Sequence, residues 1–268
     1  MSYRSILVHM DPSPDALHRL RLANDLAKRF GAHLIGLSGG EVEAMSVANA
    51  AAPAAYLADC ETEIRDACAS LGDAFFDSTQ GTDAEWRAFL HTPADLLERH
   101  ARAADLVVIG RAEAGVAGPQ FHLSPAEAVM RAGRPVLVVP EDVDSLAAEN
   151  ILVAWKTGRE ASLAVQLAMP LLKAAKQVTV LGVGSETSQG ELDDVRDYLK
   201  RHGIAAETHW RGLIGLSIDR AIVEAAGRAH ADLIVSGAYG TPRPVEWVFG
   251  GATRGLIGKS PFCCLMAH

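Results

Sequence analysis

The property that most narrows what this chain can fold into is that it repeats itself. Arg4-Ser5-Ile6-Leu7-Val8-His9 is echoed by Glu149-Asn150-Ile151-Leu152-Val153-Ala154, and His33-Leu34-Ile35-Gly36-Leu37 by Val178-Thr179-Val180-Leu181-Gly182, both at an offset of 145 residues. Glu85-Trp86-Arg87 then answers His209-Trp210-Arg211 at 124. Asp105-Leu106-Val107-Val108-Ile109-Gly110 answers Asp232-Leu233-Ile234-Val235-Ser236-Gly237 at 127, and Pro135-Val136-Leu137-Val138 answers Pro261-Phe262-Cys263-Cys264 at 126. Short apolar segments recurring in one order mean two copies of one unit. The fall in offset places an insertion in the first copy, at the Ala-rich stretch 41–57. The units run over 1–140 and 149–268, joined by an acidic linker, 141–148. Each is long enough to bury its own core.

Within each unit, strand signals alternate with helix signals. Strands are expected at 5–10, 33–37, 84–89, 105–109 and 135–139, and again at 151–155, 177–183, 207–211, 233–237 and 262–266. These runs are short, apolar and mostly without strict alternation, as in strands covered on both faces. Helices are expected at 15–30, 94–103, 160–174, 192–202, 217–230 and 251–258. Thr92 stands as N-cap with Pro93 at the first helical position, and Ser124 and Ser217 look like caps. Alternation of this kind gives parallel strands with right-handed crossovers, hence an α/β fold. The expected architecture is two tandem flavodoxin-like or Rossmann-like domains, each a five-stranded, mainly parallel sheet flanked by helices. The closing strands of the two units, apolar and at sheet edges, are expected to pair with each other.

Composition excludes several functions. The formal net charge is −8, which argues against nucleic acid or an anionic membrane surface as partner. There is no run of 18 apolar residues and no signal-peptide pattern, so no membrane span is expected. The four cysteines lack metal or redox spacing, and Cys263 and Cys264 face opposite ways on a strand. A reducing, cytoplasmic setting follows as the default. None of the ten histidines stands at ligand spacing, and core or surface roles are expected for them.

One glycine pattern carries chemistry. Gly237-Ala238-Tyr239-Gly240 leaves the strand at 233–237, and Gly250-Gly251-Ala252-Thr253 opens the next helix. Strand, glycine loop, helix exposes backbone N–H groups to an anion. Glycines there permit positive φ and let a phosphate approach without a Cβ in the way. In an α/β sheet this loop lies at the C-terminal strand ends, where ligands bind.

The order strand, G-x2-G-x9-G, helix, strand, with an Ile-Leu-Val opening strand and two copies, resembles the universal stress protein family in its tandem form. The resemblance spans nearly the whole chain. It implies binding of ATP, as in some family members, with Mg2+ as the accompanying ion, and packing of the halves as a pseudo-dimer; a homodimer or an intramolecular pseudo-dimer is the expected assembly. The halves match it unequally. In the first, Asp11 stands where the family places a nucleotide-facing Asp, but the second glycine of the loop is Glu113 and the third falls near Leu123, so no nucleotide is expected there. In the second, Gly237, Gly240 and Gly250 match, Gly251 replaces a hydroxyl residue, Thr253 retains one, and Lys156 replaces the Asp. The implied site is Ala154, Trp155, Lys156, Val183, Ser236, Gly237, Gly240, Gly250, Gly251, Ala252 and Thr253, with Ala154 and Val183 offering backbone groups to an adenine edge.

No catalytic constellation accompanies the loop. Gly258-Lys259-Ser260 ends like a Walker loop but lacks its first glycine, and a strand follows. The expected function is nucleotide binding in a stress response with little catalysis. A slow ATPase, a nucleotidyl-transfer enzyme and a nucleotide-free scaffold are the alternatives. Trp247 and Phe249, between the loop glycines, are expected to close over a ligand or pack at an interface. The Ala-rich insert is expected to be a helical lid, an interaction flap or a disordered excursion.

Overall fold

The computed structural model describes residues 2–42, 54–111, 118–185, 187–213, 215–240 and 251–268. Trp247, Phe249, Gly250, Glu113 and most of the Ala-rich insert lie outside them. The first unit holds β1 (Ser5–His9), α1 (Ala16–Phe30), β2 (His33–Gly40), α2 (Ala54–Ser78), β3 (Ala84–Leu90), α3 (Pro93–His100), β4 (Leu106–Gly110), α4 (Pro125–Arg131) and β5 (Val136–Val139). The second holds β6 (Asn150–Trp155), α5 (Arg159–Leu167), α6 (Met169–Leu172), β7 (Gln177–Val183), α7 (Gln189–Arg201), β8 (Ala206–Arg211), α8 (Ile218–Arg228), β9 (Leu233–Gly237), α9 (Gly251–Lys259) and β10 (Cys263–Ala267).

All ten strands form one sheet in the order β3-β2-β1-β4-β5-β10-β9-β6-β7-β8. The second half of that order mirrors the first. Within each unit the pairs are parallel. The units meet where β5 and β10 pair antiparallel, with Leu265 opposite Leu137 and Cys264 opposite Val138. Side chains alternate across the join, so both faces fuse. Leu137 and Leu265 belong to one core cluster, Val138, Cys264 and Met266 to the other, and each cluster draws residues from both units. Burial raises the Cys263 thiol to about 12 and the Cys264 thiol to about 11, so both act as small apolar residues. Hydrogen bonds also cross between units: the Tyr3 hydroxyl donates to the Leu167 carbonyl at 2.7 Å, and Arg111 Nη2 donates to the Ser260 carbonyl.

The central strands are buried on both faces, and the outer strands β3 and β8 are half exposed. Trp86 packs on Phe75 with ring centroids 5.4 Å apart, whereas Trp210 lies on the rim, its indole N–H donating to Gly184 O at 3.0 Å.

Three local features depart from the expected pattern. The helix expected over 160–174 is broken into α5 and α6, because Pro170 has no N–H to donate and its ring crowds the preceding turn. The insert's last residues open α2, which packs on β2 and β3 as part of the unit's core layer. At 25 residues against 13 in α7, α2 itself accounts for much of the extra length. Ser124 and Ser217 occupy N-cap positions, but their side chains make no cap bond; the reciprocal capping box is at Ser188 and Glu191. Among the described residues no helix is long and apolar enough to cross a membrane.

Candidate functional site

Each unit has one place where neighbouring crossovers leave the sheet in opposite directions: between β1 and β4, and between β6 and β9. These are the crevices in which α/β sheets bind ligands.

In the second unit, Ala154 at the end of β6 stands in register with Ser236 at the end of β9, and Trp155 with Gly182 on β7. Lys156 is exposed just past β6, and Val183, half-buried, ends β7. The Gly237-Ala238-Tyr239-Gly240 loop leaves β9, tied by Ala238 N–H donating to Ala267 O at 2.9 Å. The N-terminal turn of α9 contributes Gly251, Ala252 and a buried Thr253. The strand ends and the loop are therefore brought together at one crevice, and Gly250 lies outside the described residues.

The glycines earn their place differently from the sequence expectation. Neither Gly237 nor Gly240 takes positive φ; Tyr239 does, at 58°. That is a conformation a non-glycine residue holds at a cost on the order of 1 kcal/mol. Gly237 is instead required by close packing against the backbone at the start of α5, while Gly240 faces the end of the flexible Glu160 side chain there. A Cβ on Gly237 would stand 2.5 Å from Ala161 N, and one on Gly240 would overlap Glu160 Oε2. Gly251 is the exception, since a Cβ there would meet nothing within 4 Å. Among the described residues nothing crowds the α9 N-terminus at that residue, and the first-turn amides of a helix have no intrahelical acceptors.

Three residues at this crevice carry no signal in the glycine pattern. Glu160, on the first turn of α5, lies against Gly240. Arg254 is exposed on the first turn of α9 and close enough to Tyr239 to act on its hydroxyl electrostatically. His268 Nδ1 lies 3.1 Å from Ala238 O. Arg254 could have been singled out as a cation directly after Thr253; Glu160 and His268 reach the loop only through tertiary packing.

The equivalent crevice of the first unit is filled. Arg19 reaches from α1 with 1% of its surface exposed. Its Nε donates to His9 O at 2.8 Å, its Nη2 to Asp11 Oδ1 and its Nη1 to Asp15 Oδ2, both at 3.1 Å. The guanidinium occupies the space beside Gly110, where a Cβ would overlap Nη1. Asp11 also accepts from the backbone N–H and hydroxyl of Ser13. Burial acts to raise the Asp11 carboxyl, but Arg19, His9 and the Ser13 hydrogen bonds outweigh it and hold it at about 2. Asp11 is therefore consumed by an internal cation. The sequence expectation for this unit rests on Glu113, which lies outside the described residues; what the structure shows is Asp11 paired with Arg19. Its signal was a lone Arg on the apolar face of α1, one turn beyond Asp15.

His9 is buried, with Nε2 lacking a hydrogen-bond partner among the described residues, so it is a core histidine but not a satisfied one. Burial pushes its imidazole down to about 4; Asp11 acts upward, Arg19 and His122 downward. A folded-state value below the unfolded value means the unfolded chain binds the extra proton between roughly pH 6.5 and 4. Stability from neutral His9 is complete above that window and lost as pH falls through it, on the order of 3 kcal/mol. Denaturant unfolding of His9→Gln across this window is expected to show a clearly shallower pH slope than the parent; equal slopes would place the acid sensitivity elsewhere.

Among the described residues, no cluster of His, Cys, Asp and Glu could hold a metal ion. A cavity of about 210 Å³ lies between α2 and the edge strand β3, lined by residues including Ile64, Cys68, Trp86 and Leu90. It touches neither crevice.

Comparison with known proteins gives a consistent family. A model of the universal stress protein family matches residues 2–140. The chain superposes on the crystal structure of a universal stress protein from Archaeoglobus fulgidus DSM 4304 with a TM-score of 0.74 at 15% identity, covering 98% of this chain and 95% of that one. A functionally unknown protein from Pseudomonas aeruginosa PAO1 gives a TM-score of 0.59 at 17% identity, with 99% and 92% covered. A universal stress protein solved in complex with cAMP covers 52% of this chain and 98% of its own, at 23% identity and a TM-score of 0.39. No curated protein matches the sequence significantly.

Proposed function

The chain belongs to the universal stress protein family, and we propose that its second unit, residues 149–268, binds an adenine nucleotide while its first, residues 1–140, does not. The observation that carries this reading is the contrast between two equivalent crevices. In the first, Arg19 fills the space between β1 and β4 and occupies Asp11. In the second, Ala164 stands at the position 145 residues beyond Arg19, and among the described residues no arginine takes the place that Arg19 holds in the first. What remains is the pair of strand ends at Ala154 and Ser236, the Gly237–Gly240 loop and the start of α9.

The parts have separable roles. The backbone groups of Ala154 and Val183 present donors and acceptors to an adenine edge, which survive any side-chain change. Lys156, unlike a carboxylate, accepts no hydrogen bond from a ribose hydroxyl; it attracts phosphate oxygens. The amides of Gly251 and Ala252, with the Thr253 hydroxyl and the Arg254 cation, face the phosphates, favoured there by the α9 dipole. ATP is the nucleotide that the family implies. We assign binding in a cytoplasmic stress response, with turnover below about 1 per second, the lower end of the ordinary enzyme range. The two units act as a fixed intramolecular pair.

Titration of ATP by calorimetry tests the assignment. Gly240→Glu is expected to abolish binding by placing a bulky anion in the loop. Thr253→Val is expected to weaken it by about 1 kcal/mol, the scale of one neutral hydrogen bond. Undiminished ATP binding by Gly240→Glu would place the site elsewhere.

A further inference from the structure

We infer that Glu160 is an anion at the phosphate end of the second-unit crevice, and that it penalises adenine ligands by charge, lowering the affinity for ATP more than that for AMP and leaving adenosine unaffected. The inference rests on the nucleotide assignment above and names the ligand class within it. Oε2 of Glu160 stands beside two glycines: it lies against Gly240, and a Cβ on Gly158 would stand 3.4 Å from the same oxygen. No side chain at either position separates the carboxylate from the loop backbone. Glu160 lies in the first turn of α5, where the helix dipole favours a negative charge, so the carboxylate is at home there without a ligand. A phosphate reaching the Gly237–Gly240 loop meets an anion already in place.

The first unit shows what is missing. The residue equivalent to Glu160 is Asp15, whose carboxylate is paired with Arg19 at 3.1 Å. Arg19 has no counterpart on α5, because Ala164 occupies its position. The second unit thus keeps the carboxylate and, among the described residues, has no cation at the position of Arg19. Two like charges a few Å apart at a partly exposed site repel by an amount that grows with ligand charge. Adenosine brings no charge to that end of the crevice, AMP about two, and ATP more. Glu160 therefore sets how much phosphate the site tolerates, and Lys156 and Arg254 offset part of it.

The test is calorimetric titration of the full chain with adenosine, AMP and ATP, comparing the parent with Glu160→Gln. Glutamine keeps the shape and removes the charge, and thermal melting confirms that the variant is folded. Glu160→Ala, which removes charge and volume together, serves as the second variant. ATP affinity is expected to rise about tenfold in Glu160→Gln, the size of one partly screened charge term. Adenosine affinity is expected to change less than about twofold, within the scatter of a surface substitution, and raised salt should shrink the ATP difference. Equal ATP affinity in parent and variants would overturn the role of Glu160 while leaving the binding assignment intact. An equal gain for adenosine and ATP would also overturn it, showing a steric effect and not an electrostatic one. If no adenine ligand binds parent or variants, the assignment fails and the inference with it.

Discussion

Replacing Val138 with lysine is expected to cost about 3–5 kcal/mol of stability, the range for an uncompensated charge in a buried site. Val138 is fully buried on β5, opposite Cys264 of β10, in a cluster that includes Ile109, Leu256 and Met266. An ammonium group there has no partner and no short path to water. Because this cluster and the one on the opposite face both draw residues from the two units, the damage should reach both units together. Denaturant unfolding of the parent should show one transition reported alike by Trp86 in the first unit and Trp210 in the second. Val138→Lys should lower its midpoint sharply or split it in two. A change below about 1 kcal/mol, the usual range for a surface substitution, would mean that the β5–β10 join is not a dry shared core.

Arg19→Met is expected to be comparably destabilising, about 3–5 kcal/mol, by leaving Asp11 and Asp15 buried without their cation. The pH dependence separates this from loss of packing. The Asp11 carboxyl is held at about 2 in the folded state, below its unfolded value near 3.9. A depressed carboxyl contributes stability that is complete above the unfolded value and is lost as pH falls through the folded one. Arg19 is the first-named source of that depression, so the gap between parent and Arg19→Met should narrow as pH falls from about 4 toward about 2. Adding Asp11→Asn to Arg19→Met should recover part of the loss at neutral pH, since it removes one stranded charge. A gap that is constant with pH, with no recovery in the double variant, would identify Arg19 as a space-filling residue only.

The sheet was legible in the sequence because strands such as β1, β4, β6 and β9 are short apolar runs with few other uses, and the repeat marks them twice. Pairing of β5 with β10 was legible for a related reason: an apolar closing strand leaves an edge that needs a partner. What escaped was anything decided across elements. The length of α2 reflects packing on β2 and β3, which no local period reports. The break between α5 and α6 was readable from Pro170 but was overridden by a continuous apolar pattern on either side. Gly237 and Gly240 were read as giving positive φ and room for a phosphate; neither takes positive φ, and what lies above them is the start of α5. The excluded volume belongs to Ala161 and Glu160, and sequence spacing cannot say which neighbour sits above a glycine. Arg19 was missed because a helix pattern assigns an arginine to solvent by default. Its two carboxylate partners, four and eight residues earlier, turn the same residue into a buried network.

Amide hydrogen exchange with and without saturating ATP tests the central claim most directly. The first amides of α9 have no intrahelical acceptors and should exchange rapidly in the free protein. Bound phosphate gives them an acceptor. The account predicts added protection at residues 236–240 and 251–255, with residues 106–111 of the first unit unchanged because Arg19 keeps that crevice filled. Protection confined to residues 106–111, or no change at any segment under saturating ATP, would contradict it.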